Sequence, residues 1–315
     1  MTKKIKNITT LVKAARLYYQ YNFNQQQIAK EIGVSRPGVS RLLQQARDEG
    51  IVEIKINDPG KKGTDLENNL KEKYNLNKVI IVPGEDSEFL TKNLGKAAAI
   101  FLDEIIRENM VLGVSWGTTM LEMKNQISPK TMKNMTVVQL NGGVSRAEYN
   151  THASEVTQKI GESYNAIPYL LPLPAIVDNS ALKNAIVSDR NITNTMNLAK
   201  KAEVAFFTIG SFDYDSLLVK SDYFTKKEVK ELLDKGAVGD ICSRIINQAG
   251  EICSEDLNDR TIGIDLQELK TKRYSIAVAG GKKKYSAIKA ALNGQLFNTL
   301  ITDSVNAEKL LNEDV

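Results

Sequence analysis

Histidine and cysteine are nearly missing from this chain, and their scarcity removes several chemistries. One histidine, His152, in 315 residues leaves no set of imidazoles to hold a transition metal. Cys242 and Cys253 alone give neither a disulfide framework nor a zinc-ligand spacing. No run approaches the ~20 apolar residues of a membrane-spanning helix. The opening MTKKIKNITT is basic but has no apolar core behind it, so it does not read as a signal peptide, and a cytoplasmic protein is expected. Neither a dinucleotide fingerprint nor a Walker sequence occurs, so neither NAD nor ATP is expected as a cofactor. Internal repeats and low-complexity segments are missing too.

What is present is an ordinary globular composition, 42% hydrophobic and 25% charged, which suffices for a buried core. The charge is unevenly placed. Residues 1–57 hold ten Lys/Arg against four Asp/Glu, a net of +6, while the remainder holds 32 against 34, a net of −2. A basic segment of this kind suits the phosphate backbone of a nucleic acid.

Within it, QQQIAKEIGVSRPGVSRLLQQARDE (25–49) carries the pattern of two short helices joined by a tight turn. Ile28 and Ile32 lie four apart on one helical face. Gly33 supplies a left-handed turn residue, Ser35 an N-cap, and Pro37 falls in the first turn of the second helix. Val39, Leu42 and Leu43 face back onto the first helix. The outer face then presents Ser35, Arg36, Ser40, Arg41, Gln44, Gln45 and Arg47. Arginine can fork onto guanine and glutamine onto adenine, so this face fits the major groove of double-stranded operator DNA. A helical hairpin with a merely solvated face is the plain alternative. Apolar spacing at Leu11, Ala14/Ala15 and Tyr18 adds a preceding helix, and Ile51–Asn57 reads as a hairpin wing. The domain division expected is a winged helix-turn-helix over 1–57, a linker and possible oligomerisation helix over 58–75, and an effector domain over 76–315.

From Lys78 onward, short apolar strands alternate with helical patterns: 79–84, 110–117, 136–143, 166–172, 204–210, 274–281 and 299–304. That alternation predicts an α/β fold with a mostly parallel sheet covered on both faces. Ligands in such sheets bind in the loops after the strands. Four segments are candidates: Gly113–Thr119, Gln139–Gly143, Ala279–Lys284 and a loop at Gly236–Asp240. A glycine after a strand is most often plain turn geometry. Four such segments in one domain favour a phosphorylated small molecule. Trp116 reads as core or as a lid, and His152 with Glu155 as a helix-start pair.

The segment ARLYYQYNFNQQQIAKEIGVSRPGVSRLLQQARDEGIVEIKI resembles the start of the SorC family of bacterial sugar-responsive transcriptional regulators. VLGVSWGTTM, VVQLNGG, GAVGDI, RTIGIDL and AVAGGKKKYSAIKAAL match in order, so the resemblance covers nearly the whole chain. It implies an effector domain related to ribose-5-phosphate isomerase and glucosamine-6-phosphate deaminase. It also implies a homo-oligomer, a tetramer on operator DNA, and a phosphosugar effector. Carried over by position, Gly117, Thr118, Thr119 and Lys284 hold the phosphate, and Asn141, Gly142, Gly143 and Asp240 line the sugar side. Asn141 stands where a lysine could condense with an open-chain aldehyde. Asparagine cannot, so noncovalent binding is expected if the ligand is a deoxypentose phosphate; Lys283 and Lys284 remain as competing amines. The reading is a repressor of a carbohydrate or deoxyribonucleoside catabolic operon. Its rival is a sugar-phosphate isomerase or deaminase with a DNA-binding head, which suffers from the shortage of acid–base groups near Asp240.

Overall fold

The computed structural model describes residues 2–52, 62–84, 89–144 and 151–313. Packing divides the chain into two units, Met1–Lys61 and Lys62–Val315. The first contains helices α1 (Thr2–Tyr19), α2 (Gln25–Ile32) and α3 (Arg36–Asp48). Asn24 caps α2 in a full capping box with Gln27, satisfying helix-end N–H groups that would otherwise lack partners. Gly33 closes α2 at φ 76°, and Ser35 Oγ accepts from Gly38 N at 3.2 Å to start α3, with Pro37 in its first turn. Ala14, Ile28, Val39 and Leu43 form one small core, and Leu11, Ala15 and Ala46 a second. The expected wing falls mostly on residues 53–57, which lie outside the described residues.

The second unit begins with α4 (Lys62–Lys73). Its Leu70 is fully buried in the main core and Glu67 accepts from the Ile81 amide at 2.9 Å, so α4 is an integral element of this unit. The chain then runs β1 (Lys78–Val82), α5 (Leu90–Ile105), β2 (Val111–Val114), α6 (Thr118–Gln126), β3 (Thr136–Gln139), α7 (Ala153–Tyr164), β4 (Ile167–Tyr169), α8 (Ser180–Val187) and α9 (Arg190–Lys201). It continues with β5 (Val204–Ser211), α10 (Leu217–Lys220), α11 (Lys226–Asp234), β6 (Ala237–Ile241), β7 (Arg244–Asn247), α12 (Glu255–Arg260) and α13 (Leu266–Lys270). Strand β8 (Tyr274–Val278), a single 3-10 turn (Lys282–Lys284), α14 (Tyr285–Asn293), β9 (Thr299–Asp303) and α15 (Ser304–Asn312) complete it.

Seven strands pair in parallel in the order β1-β9-β8-β5-β2-β3-β4. Alternate residues go to opposite faces, as the period of two requires. Val204, Phe206, Ile276 and Val278 join the core beneath α5, α6 and α7, while Ala205, Phe207, Ala277 and Ala279 join the one beneath α14 and α15. Both faces are dry, which is why these strands read as continuous apolar runs. The end of β5 leaves the parallel sheet and pairs antiparallel with β6, which pairs with β7. Residues 237–241 are therefore a strand, not the loop expected from Gly236 to Asp240. The chain turns one way from β2 to β3 and the other way from β5 to β8, so a topological switch lies between β2 and β5, where open α/β sheets leave a crevice.

Candidate nucleic-acid interface and anion cavity

The outer face of α3 carries the residues expected for DNA in two states of engagement. Ser35, Arg36, Ser40 and Arg41 are exposed, with Ser35 also capping the helix. Gln44, Gln45 and Arg47 are held internally. Arg47 donates to Tyr19 Oη at 2.8 Å and to Gln44 Oε1 at 2.5 Å, Gln44 donates to Asp48 at 2.9 Å, and Gln45 to Glu49 at 2.6 Å. These bonds are exposed and cost little to exchange for phosphate or base contacts. Arg36, Ser40 and Arg41 are thus exposed on this face, while Gln44, Gln45 and Arg47 on the same helix are bonded to neighbours.

At the β2/β5 switch the second unit opens a cavity of about 240 Å³. Trp116, Gly117, Thr118 and Thr119 follow β2, Thr208, Gly210 and Ser211 end β5, Ser216, Leu217 and Leu218 come from α10, Asp240 from β6, and Lys284 from the turn after β8. Gly117 sits at φ 122°, a conformation that strains any residue with a Cβ, and no side chain caps the start of α6. The N–H groups of that first turn and the Thr118 hydroxyl, which is exposed, form a ready anion cradle.

Asp240 and Lys284 are the charged groups of this lining. Burial pushes the Asp240 carboxyl up to about 6, against the opposing pull of the Ser243 amide and the Lys284 charge. Burial likewise lowers the Lys284 ammonium, with Asp240 partly restoring it. Asp240 is set by its hairpin. Ser243 N donates to Oδ2 at 3.2 Å, and Cys242 and Ser243, at φ 49° and 69°, form the two-residue turn between β6 and β7. A Cβ on Gly210 would fall 2.1 Å from Asp240 Oδ1, so glycine is what admits the carboxylate.

The structure brings Gly117, Thr118, Thr119, Asp240 and Lys284 together and leaves Asn141, Gly142 and Gly143 outside the lining among the described residues. Asn141 is 1% exposed and spends its amide on Ser243 Oγ at 2.9 Å. Gly142 lies under the Pro174 carbonyl, and its own carbonyl accepts from Trp116 Nε1 at 2.8 Å. Gly143 packs against Ala153 and Trp116. Gly142 and Gly143 back Trp116, which is 7% exposed and lines the cavity. Of the three lysines 282–284, Lys282 and Lys283 are exposed and Lys284 alone lines the cavity. Thr208, Ser211, Ser216, Leu217 and Leu218 had no place in the sequence reading. The strand-end rule applied to TIGS (208–211) would have found the first two.

His152 caps α7 at φ 59° and its Nδ1 lies 2.9 Å from Glu155, which also takes Lys124 at 2.7 Å. It is a helix-start pair, as expected. Among the described residues, no cluster of three His, Cys, Asp or Glu could hold a metal, and no helix is long and apolar enough to cross a membrane.

Two family models match the chain: a Crp-like helix-turn-helix domain over residues 10–61 and a sugar-binding domain over 58–312. The chain is 43% identical over 304 residues to the deoxyribonucleoside regulator of Bacillus subtilis (strain 168), spanning 96% of this chain and 97% of that one. It is 29% identical to the sorbitol operon regulator of Klebsiella pneumoniae over 97% and 98% of the two chains. The crystal structure of the full-length sorbitol operon regulator SorC from that organism superposes with a TM-score of 0.78 at 29% identity, covering 97% of this chain and 99% of that one.

Proposed function

The chain belongs to the SorC family of sugar-binding transcriptional regulators, and on that premise we propose that it is a repressor released from its operator by a phosphorylated sugar. The observation that carries the reading is the cavity at the β2/β5 switch. The uncapped start of α6 and Lys284 line one cavity, in the same chain as a helix-turn-helix. The phosphate sits on Gly117, Thr118, Thr119 and Lys284. Asp240 Oδ1, left open by Gly210, accepts from a sugar hydroxyl.

The Bacillus relative is named for deoxyribonucleosides, and that makes 2-deoxyribose phosphates the first ligands to try. Binding is noncovalent, with Asn141 supporting the hairpin that carries Asp240. The operator is two-fold symmetric and the working species is an oligomer, since one helix-turn-helix covers a single half-site; the tetramer is what the family resemblance implies.

The test is a thermal-shift screen of the full chain against pentose, deoxypentose, hexose and ketose phosphates, followed by operator titration with each hit. A ligand that binds the folded state raises the midpoint by mass action. A hit that also weakens operator binding supports the reading, and a hit that strengthens it reverses the sign of regulation. Silence across the panel sinks the phosphosugar assignment.

A second reading, turnover of the sugar phosphate, draws on the Asp240 carboxyl at about 6 beside a lysine of lowered basicity. We favour binding without turnover, because among the cavity's described side chains no further acid–base group accompanies this pair. A coupled assay with ribose 5-phosphate or glucosamine 6-phosphate decides it.

A further inference from the structure

Lys284 enters the cavity on a turn whose backbone is gripped by the start of α15. The Gly281 amide donates to Asp303 Oδ2 at 2.8 Å, and the Gly281 carbonyl accepts from Asn306 Nδ2 at 3.2 Å and from the Lys284 amide at 3.0 Å. Asn306 is locked to Asp303 in turn, through its side chain at 2.6 Å and its amide at 3.0 Å. Asp303 and Asn306 are 1% and 2% exposed, so water cannot replace these bonds when the turn shifts. A Cβ on Gly280 would meet Asp303 Oδ2 at 2.7 Å, a further sign of how closely the turn is pressed onto the pair.

The other end of α15 is held just as tightly by α4. Lys73 Nζ donates to the carbonyls of Leu310 at 3.0 Å and Leu311 at 3.2 Å, and to that of Glu313. The Tyr74 hydroxyl donates to Leu310 at 3.1 Å. One cation thus satisfies carbonyls that a helix end leaves open. Between the two grips, Ala307 and Leu310 share a dry core with Leu70 of α4 and with Ala287 and Ile288 of α14. Lys309 lies 3.7 Å from the ring centroid of Tyr285, the residue after Lys284.

We propose that α15 is the strut through which occupancy at Lys284 reaches α4, with Lys73 as the positioning residue at the receiving end. The proposal rests on the effector reading above. A phosphate that draws in the Lys284 side chain displaces a turn that moves only with Asp303 and Asn306. A close-packed helix of nine residues transmits that displacement as a body rather than absorbing it. Helix α4 is the segment that follows the DNA-binding unit in the chain, so it is where such a displacement has regulatory consequence.

The experiment uses full-length Lys73→Met, which keeps the apolar stem and removes the donors, with Lys73→Arg as the variant that retains them. The DNA is a duplex selected by the wild-type protein from a random-sequence pool, and the ligand is 2-deoxyribose 5-phosphate. Wild type is expected to lose at least about fivefold in DNA affinity on adding the sugar, the lower end of ordinary allosteric coupling. Lys73→Met is expected to bind DNA alone and sugar alone within about twofold of wild type, yet to lose less than about twofold when both are present. Lys73→Arg restores the response. A Lys73→Met protein that releases DNA as wild type does overturns the proposal.

Amide hydrogen exchange without ligand gives a reading that does not depend on the effector. Lys73→Met should speed exchange at residues 281–284 as well as at the end of α15, and acceleration confined to α4 and that end also overturns the strut. If the wild-type protein ignores the sugar, the effector assignment falls and the exchange result alone decides.

Discussion

Replacing Lys284 by methionine should move two properties in opposite directions. In the wild type the ammonium is half-buried in the cavity wall, with Asp240 offering partial compensation, and its basicity falls through that desolvation. The unfolded chain holds this proton up to the ordinary lysine value of 10.5, whereas the folded chain releases it earlier. Between the two values the unfolded state binds more protons, so wild-type stability rises with pH and is lost as pH falls. The slope from this one group is about 1.4 kcal/mol per pH unit. Methionine removes that dependence. The ligand-free variant should therefore gain most over wild type at the low end of the window, the advantage shrinking as pH climbs toward 10.5.

Effector binding should go the other way, because the lost contact is a charge-assisted bond to phosphate worth about 1.5–3 kcal/mol, or roughly 10- to 150-fold in Kd. Thermal unfolding from pH 6 to 9.5 and calorimetric titration with 2-deoxyribose 5-phosphate read both arms. A variant that binds the sugar like wild type shows that Lys284 is not the phosphate anchor. A variant whose melting curve runs parallel to wild type at every pH shows that the ammonium is not strained. Loss of operator binding would mark the residue as structural.

The remaining predictions concern separate parts of the molecule. Gly210→Ala places a Cβ 2.1 Å from Asp240 Oδ1, so the carboxylate must rotate off its hydroxyl-accepting position; sugar affinity should fall about tenfold, an ordinary charged hydrogen bond, with operator affinity unchanged by titration. Arg41→Ala should cost about 1–3 kcal/mol and relax sequence preference if the side chain reads a base, while an equal loss on operator and scrambled duplex would identify a phosphate contact. Arg244 is 2% exposed and bonds to Asp265 at 2.6 Å and to the Ile264 and Gly263 carbonyls at 2.8 and 3.0 Å. Arg244→Met takes a donor from the two carbonyls, while the half-exposed Asp265 can turn to water, and should destabilise by about 1–3 kcal/mol in denaturant unfolding; an unchanged midpoint would refute the reasoning.

The parallel sheet was legible because central strands buried on both faces must be largely apolar, as β2, β5 and β8 are, while the exposed edge strand β4 was found from the apolar run around it. The β6–β7 hairpin was not, because AVGDI and RIIN are short and carry an aspartate and an arginine. Asp240 lines the cavity and Arg244 is paired with Asp265, so polar contacts break the apolar strand pattern there. Asp240 does line the cavity, but from a strand and not from the loop expected. Asn141–Gly143 illustrate the converse. A glycine pair after a strand looks like an anion loop, but Pro174, Ser243 and Trp116 fill the space around it, and none of those contacts is local in sequence. Helix α4 was visible as a helix, while its tie to α15 through Lys73 spans more than 230 residues and follows no spacing rule.

The energetics of the cavity also bear on the proposal that the regulator works as an oligomer. Swinging a two-state equilibrium from 1:99 to 99:1 requires about 5.5 kcal/mol of preference for one state. A phosphate on Lys284 supplies about 1.5–3 kcal/mol, and the start of α6 adds about 0.3–2 kcal/mol, of which only the part that differs between the two arrangements counts. One site, at about 1.8–5 kcal/mol, therefore falls short of a full switch, while two sites acting on a shared arrangement of subunits supply about 3.6–10 kcal/mol, a range that spans the requirement. The sugar response should accordingly show a Hill coefficient above 1, and it should fall to 1 in a variant held monomeric, with the midpoint no longer tied to full operator release. Light scattering coupled to gel filtration establishes the species, and operator titration against sugar concentration gives the slope. A monomer that switches completely, with a Hill coefficient of 1, would mean that a single cavity delivers more differential energy than these contacts contain.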